Sequence, residues 1–418
     1  MRQAAQIKEY SEIKENELDS CNLDKLQAYL KCQNLDSALK VTRHGIKAKS
    51  WVGVIKYKNL HLEILPKLIS ADVNNDGEIS EAERNIILKN LIYMLSYTKN
   101  LDIKTNDNAK LSTEKNSFIE ILIREFANSL FESLKRLTPK RYVREEENLN
   151  YLKGKIKFSE NIRYNCANKA KFYCEYDEFS ENNLLNQLFL FVSTCLYNIS
   201  NNSYNKKTLK FIINYYSDIS FVRFDKFKAR KIKLTRNQEL FKKPFNLAKM
   251  FVEQTSVDLS KNQFENITLV WDMNKLFEEF IFELIKRKIP ECKASAQKTK
   301  RLLVRNKETR RDTKVDIFVQ NPKVIIDTKY KKFTSFDDIS SVDIYQVTTY
   351  CLLHKYNRAI LLYPQFGNEK PDIKNYHLNN DGDQYRIDFC TINLKYNDLK
   401  HKDTQEALIK KLRQILEN

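Results

Sequence analysis

The chain has 418 residues, is 42% hydrophobic and contains only 6 Gly and 7 Pro, so it can build packed cores in two or three domains and is not a disordered polymer. Its formal charge of +18 suits polyanionic partners, although Lys-, Asn- and Ile-rich composition also arises from genomic base bias. Apolar runs such as LFLFVSTCLY fall short of the roughly 20 residues of a membrane span, the N-terminal stretch lacks the apolar core of a signal peptide, and the eight cysteines form no CxxC pair. A cytoplasmic protein with reduced thiols, no zinc site and no membrane contact is expected.

In chain order, KSWVGVIKY and LHLEILPKL alternate apolar and polar residues and predict two strands joined by a turn at KN. DVNNDGEISEAE follows, with Asp72, Asn74, Asp76, Gly77 and Glu83 at the spacing of a calcium-binding EF-hand loop. The segment entering it reads as a strand and no second loop accompanies it, so an Asx-rich turn leading into a helix, with Ser80 and Glu83 as a capping box, is the favoured reading. EAERNIILKNLIYMLSYTKN and SFIEILIREFANSLFESLKRL carry apolar residues at helical spacing. From about Tyr142 to Leu247 the pattern is mixed, with a strand-like LKGKIKF and a long helical NNLLNQLFLFVSTCLYNI. From about Ile267 come a helix (LVWDMNKLFEEFIFELIKRK), three strands (RLLVRN, KVDIFVQ, KVIIDTKY), a helix (VDIYQVTTYCLLHK) and a strand (RAILLYP), the order of a small α/β core. The expected division is an N-terminal region with a β-hairpin at 1–110, a largely helical connection at 111–262 and a domain at 263–418. The fold class is mixed α+β overall, with an α/β C-terminal core.

The chemistry concentrates in KVDIFVQNPKVIIDTKYKKF. Residues two apart on a strand share a face, so Asp327 and Lys329 project together while Thr328 points away, and Asp316 belongs to the preceding strand of the same hairpin. Two carboxylates on neighbouring strands can hold Mg²⁺, and a lysine beside them can orient an attacking water and stabilise phosphorane charge. A bare Asp-x-Lys at a sheet edge is more often a structural ion pair. Here the dense basic segment KTKRLLVRNKETRRDTK, Lys298 to Lys314, leads directly into it and favours a phosphate-facing role.

Asp316 followed after ten residues by Asp327-Thr328-Lys329 resembles the PD-(D/E)xK nuclease motif, with Val315 in place of the proline. Glu278 in NKLFEEF falls where many such nucleases carry an additional metal-directed glutamate, Glu279 being the alternative. Gln346 and Tyr350 form the Q-x-x-x-Y pattern of the RecB-like branch, on one helix face suited to contacting a phosphate or supporting the metal site. The wider set AKSWVGVI, LEILPKL, LKGKIKF, YDEFSENNLLNQLF, VDIF, IIDTKYK and DIYQVTTY is similar, in family order from about Ala48 to Pro364, to the McrC family, the endonuclease subunits of McrBC-type modification-dependent restriction systems that defend against phage.

That resemblance implies a C-terminal nuclease domain behind an N-terminal region that engages a hexameric AAA+ GTPase, McrB. It implies Mg²⁺ as cofactor, with Mn²⁺ as a substitute, held by Asp316 and Asp327, and double-stranded, modified DNA as substrate. GTP enters only through the partner, consistent with the lack of a GxxxxGK[ST] loop. The hairpin around Trp51 and Ile64 is the segment expected in the partner's central pore. The first forty residues and the tail after Pro364 match no known pattern. The alternative function is a non-catalytic basic adaptor that binds nucleic acid or regulates a partner NTPase.

Overall fold

The computed structural model describes residues 5–14, 23–32, 35, 38–57, 60–67, 81–98, 117–258, 263–297, 299–305, 308–331, 333, 335, 338–365, 374–380, 383–394, 399 and 401–417. The chain is mixed α+β and divides into two units, one formed by 1–118 with 268–418 and the other by 119–267. The first of the segments expected from sequence and all of the third except 263–267 thus lie in a single unit.

The N-terminal half of the first unit is built on the hairpin of Trp51–Tyr57 and Leu60–Leu65, in which Gly53 pairs with Ile64 and Tyr57 with Leu60. Strand Ala5–Lys8 adds in parallel along Leu60–Leu65, and Gln263–Asp272 lies along the other side of Trp51–Tyr57. Gly53 permits that approach: its φ is +137°, and a Cβ there would stand 2.0 Å from the Leu269 carbonyl oxygen. One sheet face packs Ile7, Ile55, Leu62 and Ile64 against helix Leu23–Cys32 and the small sheet of Glu12–Lys14, Leu39–Val41 and Gly45–Ala48. Toward the other face, helix Glu81–Tyr97 packs on helix Met273–Lys288, where Tyr93 and Tyr97 meet the Phe280 ring edge-on.

The expectation that this hairpin enters a partner's pore is corrected by its burial. Val52, Val54, Ile55, Leu62, Ile64 and Leu65 are fully buried, and strands flank both sides. Alternation made it read as a half-exposed ribbon, whereas its near-continuous apolar run is covered on both faces. The calcium-loop pattern falls largely on 72–80, outside the described residues; the segment before it, Leu60–Leu65, is a strand as expected.

The C-terminal half is a mixed six-stranded sheet in the order Ser295–Ala296, Ile317–Val319, Val324–Thr328, Arg358–Pro364, Asp383–Ile392 and Lys374–Asn380. Ile317–Val319 and Val324–Thr328 are antiparallel; Val324–Thr328, Arg358–Pro364 and Asp383–Ile392 run parallel, helix Ser341–His354 making the first crossover. Ile325, Leu361, Tyr363 and Phe389 meet Val347, Tyr350 and Cys351 of that helix. Helices Met273–Lys288 and Lys402–Glu417 also pack on this sheet. Burial on both faces explains why VII and AILLY are continuous apolar runs. The tail that matched no pattern supplies two of the six strands and a helix. The basic segment is a separate hairpin of Thr299–Arg305 and Glu308–Lys314, where sequence indicated one strand.

The second unit contains helices Phe118–Leu134, Leu184–Ile199, Ser203–Tyr215 and Lys242–Glu253, together with a three-stranded sheet in the order Arg141–Leu149, Phe172–Ser180, Lys155–Ile156. The expected strand LKGKIKF is cut to Lys155–Ile156, because helix Phe158–Asn165 begins within it. Asn183 caps Leu184–Ile199, accepting from the N–H groups of Leu185 and Asn186. No helix among the described residues is long and apolar enough to cross a membrane.

The N-terminal sheet carries one buried ion pair. Glu63, fully buried, accepts from Arg84 at 2.8 to 3.0 Å and from the Phe118 N–H at 2.8 Å. Removing one partner leaves an uncompensated charge, so Arg84→Ala should destabilise the first unit by about 3–5 kcal/mol. Chemical denaturation followed by Trp fluorescence should also show the double variant Glu63→Leu/Arg84→Met recovering most of the loss.

Candidate active site

Chain geometry brings the two predicted carboxylates together. Ile317 pairs with Ile326, and the same register continued by one residue sets Asp316 opposite Asp327. Asp316 lies just before strand Ile317–Val319, and Lys329 just after Val324–Thr328. The free end of the short strand lets the Asp316 carboxylate reach across: its Oδ2 accepts from the Thr328 N–H at 2.9 Å and the Thr328 hydroxyl at 3.1 Å. Thr328 therefore does not point away from the site; its hydroxyl turns back to hold Asp316.

Lys329 does lie with Asp327, as the strand period implies, with Nζ 2.7 Å from Asp327 Oδ2 and 3.5 Å from Asp343 Oδ1. Its ammonium also donates to Gln346 Oε1 at 2.9 Å. The Gln346 amide donates onward to the Tyr350 hydroxyl at 2.7 Å, and that hydroxyl donates to the Lys314 carbonyl at 2.9 Å. Because an ammonium only donates, the amide orientation is determined. The chain of bonds begins at Lys329 and ends two residues before Asp316. Gln346 and Tyr350 thus tie the lysine to the Lys314 carbonyl.

The electrostatics follow from burial. Asp327 is 2% exposed; burial and then the charge of Asp316 push its carboxyl up to about 7, against the pull of Lys329. Burial also raises Asp316, with the two Thr328 hydrogen bonds opposing. Burial works to lower Lys329, but Asp327, Asp343 and Asp316 together outweigh it and hold the amine above its ordinary value. Lys329 is therefore a resident cation and not a free base. Glu278, on helix Met273–Lys288, is raised by burial and by Asp316, and accepts from the Gln297 amide at 3.1 Å. The Gln297 N–H in turn donates to the Asp316 carbonyl at 3.0 Å. Of the two glutamates considered, Glu278 is thus tied to Asp316.

Sequence reasoning missed Asp343 and Lys331. Asp343 accepts from Lys331 at 2.5 Å while facing Lys329. The available signal was its position three residues before Gln346, on the same helix face.

The donors fit a small hard cation. Among the described residues no three His, Cys, Asp or Glu groups form a ready-made cage, and Mg²⁺ is characteristically held through one or two carboxylates while keeping several waters. Asp316 and Asp327 would hold it, and its charge would offset the burial that raises both and the Asp316 charge that raises Asp327 further.

The sheet with its crossover helix is mixed α+β and carries Asp316, Asp327 and Lys329 at the strand ends. A family model described as McrBC 5-methylcytosine restriction system component matches residues 46–364, and the chain belongs to that family as a McrC-type subunit. Among solved structures, the chain is similar to one described as a refined half-complex from a tetradecameric assembly of Thermococcus gammatolerans McrB AAA+ hexamers with bound McrC. That match has a TM-score of 0.75 and 21% identity, and covers 99% of this chain and 100% of the other. A cryo-EM structure of the Thermococcus gammatolerans McrBC complex matches at TM-score 0.53 and 24% identity, covering 69% and 88%. At these identities the likeness concerns the fold. No curated protein sequence matches.

The raised carboxyls make a pH prediction. Asp327 ionises near 3.8 by default and near 7 in the fold, so between about pH 4 and 7 the unfolded state has released a proton that the folded state keeps. Raising pH through that window favours unfolding. Without divalent cation, the melting temperature should fall from pH 5 to 7.5, and Asp327→Asn should show a smaller fall. Adding Mg²⁺ at pH 7.5 should restore the parental protein and leave Asp316→Asn/Asp327→Asn unchanged.

Proposed function

We propose that this chain is the DNA-cutting subunit of a McrBC-type restriction complex: a Mg²⁺-dependent endonuclease that works with, and stimulates, a hexameric McrB-like AAA+ GTPase. The observation that carries the reading is the buried Asp316–Asp327 pair with a protonated Lys329 beside it, at the open end of a sheet in a chain of this family. A structural ion pair needs one carboxylate for one lysine. Here Asp327 and Asp343 both face Lys329, at 2.7 and 3.5 Å, and Asp316 adds its charge beyond them. The partner assignment is supported by similar structures described as McrB AAA+ hexamers with bound McrC.

Bound Mg²⁺ would supply Lewis-acid activation of a water and neutralisation of phosphate charge. The chain's own groups do the rest. Lys329, held by Gln346, presents a fixed positive charge where a phosphodiester would gain negative charge. Thr328 fixes the Asp316 carboxylate, and Glu278 extends the acidic wall. The basic hairpin Thr299–Lys314 leads into Asp316 and suits the DNA backbone.

The test is cleavage of methylated and unmethylated plasmid by the chain with its GTPase partner, GTP and Mg²⁺. Loss of several kcal/mol of charge stabilisation corresponds to a fall on the order of 10³-fold for Asp327→Asn. Lys329→Ala should fall about 10²- to 10³-fold, and Gln346→Ala or Tyr350→Phe about 10-fold. All four should keep parental GTPase stimulation. Near-parental cleavage by Asp327→Asn in an assembled complex would instead overturn the assignment of cleavage to this site.

A further inference from the structure

The first strand ends in a turn, Glu9–Tyr10, that reaches the neighbours of the candidate site by two routes. Glu9 is 1% exposed, and its Oε1 accepts from the Tyr330 hydroxyl at 2.7 Å and the Lys67 N–H at 2.8 Å. Tyr330 follows Lys329 directly in the chain. Its buried ring packs on Phe277, the residue before Glu278, with centroids 6.1 Å apart. By the second route Tyr10, in the left-handed region at φ 64°, lies beside Ser50. The Ser50 carbonyl accepts from the Met273 N–H at 2.8 Å, at the start of the helix that carries Glu278, and Asp272 caps that helix.

This anchor is costly for the work of packing alone. The Glu9 Oε2 is buried with no hydrogen-bond partner, and burial pushes the carboxyl up to about 7. A phenylalanine against an aliphatic residue would fill the same space without a buried acid. What the acid adds is direction, since it fixes the tyrosine hydroxyl to one point. The Lys329 backbone is thereby held on both sides, by its own N–H to the Leu362 carbonyl at 2.9 Å and by the tethered Tyr330 ring.

We propose that Glu9 is a positioning residue of the nuclease site: through the Tyr330 hydroxyl it sets where the chain leaves the sheet after Lys329, and so where the ammonium stands against Asp327 and Gln346. The consequence for cleavage rests on the nuclease reading; the consequence for Lys329 itself does not.

The test uses the full chain with Tyr330→Phe, which deletes one hydroxyl, Glu9→Leu, which deletes the acceptor, and Glu9→Gln, which retains it. The first readout is the rate at which Lys329 is acetylated by acetic anhydride, followed by mass spectrometry with the remaining lysines as internal references. The second is the cleavage rate in complex with the GTPase, separated into kcat and the KM for DNA. Tyr330→Phe and Glu9→Leu should each raise Lys329 acetylation several-fold and lower kcat about 10-fold at unchanged KM, the range for residues that orient a site's own ligands. Glu9→Gln should match the parent in both. Unchanged Lys329 acetylation in Tyr330→Phe would overturn the proposal, as would a rise shared by all lysines, which signals unfolding. Parental cleavage by Tyr330→Phe beside an inactive Asp327→Asn removes this proposal alone. The expected acetylation shift in a chain that never cuts removes the nuclease reading alone.

Discussion

Two carboxylates set opposite each other at the end of an apolar sheet cannot both ionise unless a cation stands with them. The C-terminal architecture is arranged around that constraint. Asp316 is steadied by Thr328, Asp327 is buried against Lys329, and the lysine is fixed by Gln346 and Tyr350 to the carbonyl of Lys314. The resulting loop of bonds starts and ends on the segment that carries the acids, so displacing any member shifts the others. A second cation between Asp316 and Asp327 would lower the repulsion without competing for the lysine's place.

Much of this site was legible in the sequence, for a definite reason. The strand period places Asp327 and Lys329 on one side whatever surrounds them, and a hairpin register brings Asp316 across. Gln346 and Tyr350 were legible as a helix face but not as a brace for the lysine, since periodicity gives direction and not distance. Asp343 and Lys331 look like ordinary solvated charges in one dimension, and only the crossover helix lying beside the strand gives them partners.

The fold shows the same division. Long periodic segments such as Leu184–Ile199 and Met273–Lys288 were readable, because their apolar spacing is local. The depth of the N-terminal hairpin was not, since it depends on helices from Leu23 and Glu81 and on a strand from beyond residue 262 that pairs along its side. Lys374–Asn380 and Asp383–Ile392 were silent for the opposite reason: polar and charged residues interrupt them, and the parallel neighbour of Asp383–Ile392 identifies it as strand only in three dimensions.

The discontinuity of the first unit governs the order in which the protein can be made. The bond between Glu9 and Tyr330 spans 321 residues, and the strand Gln263–Asp272, which lies along Trp51–Tyr57, emerges only after the whole of 119–262 has been synthesised. At translation rates of about 5–20 residues per second, the N-terminal sheet waits tens of seconds for its missing side, and the Asp–Lys centre is completed only after the sheet that braces it can close. A nascent or prematurely terminated chain lacks the tail strands and the final helix, so the sheet that carries Asp327 is left without its far side.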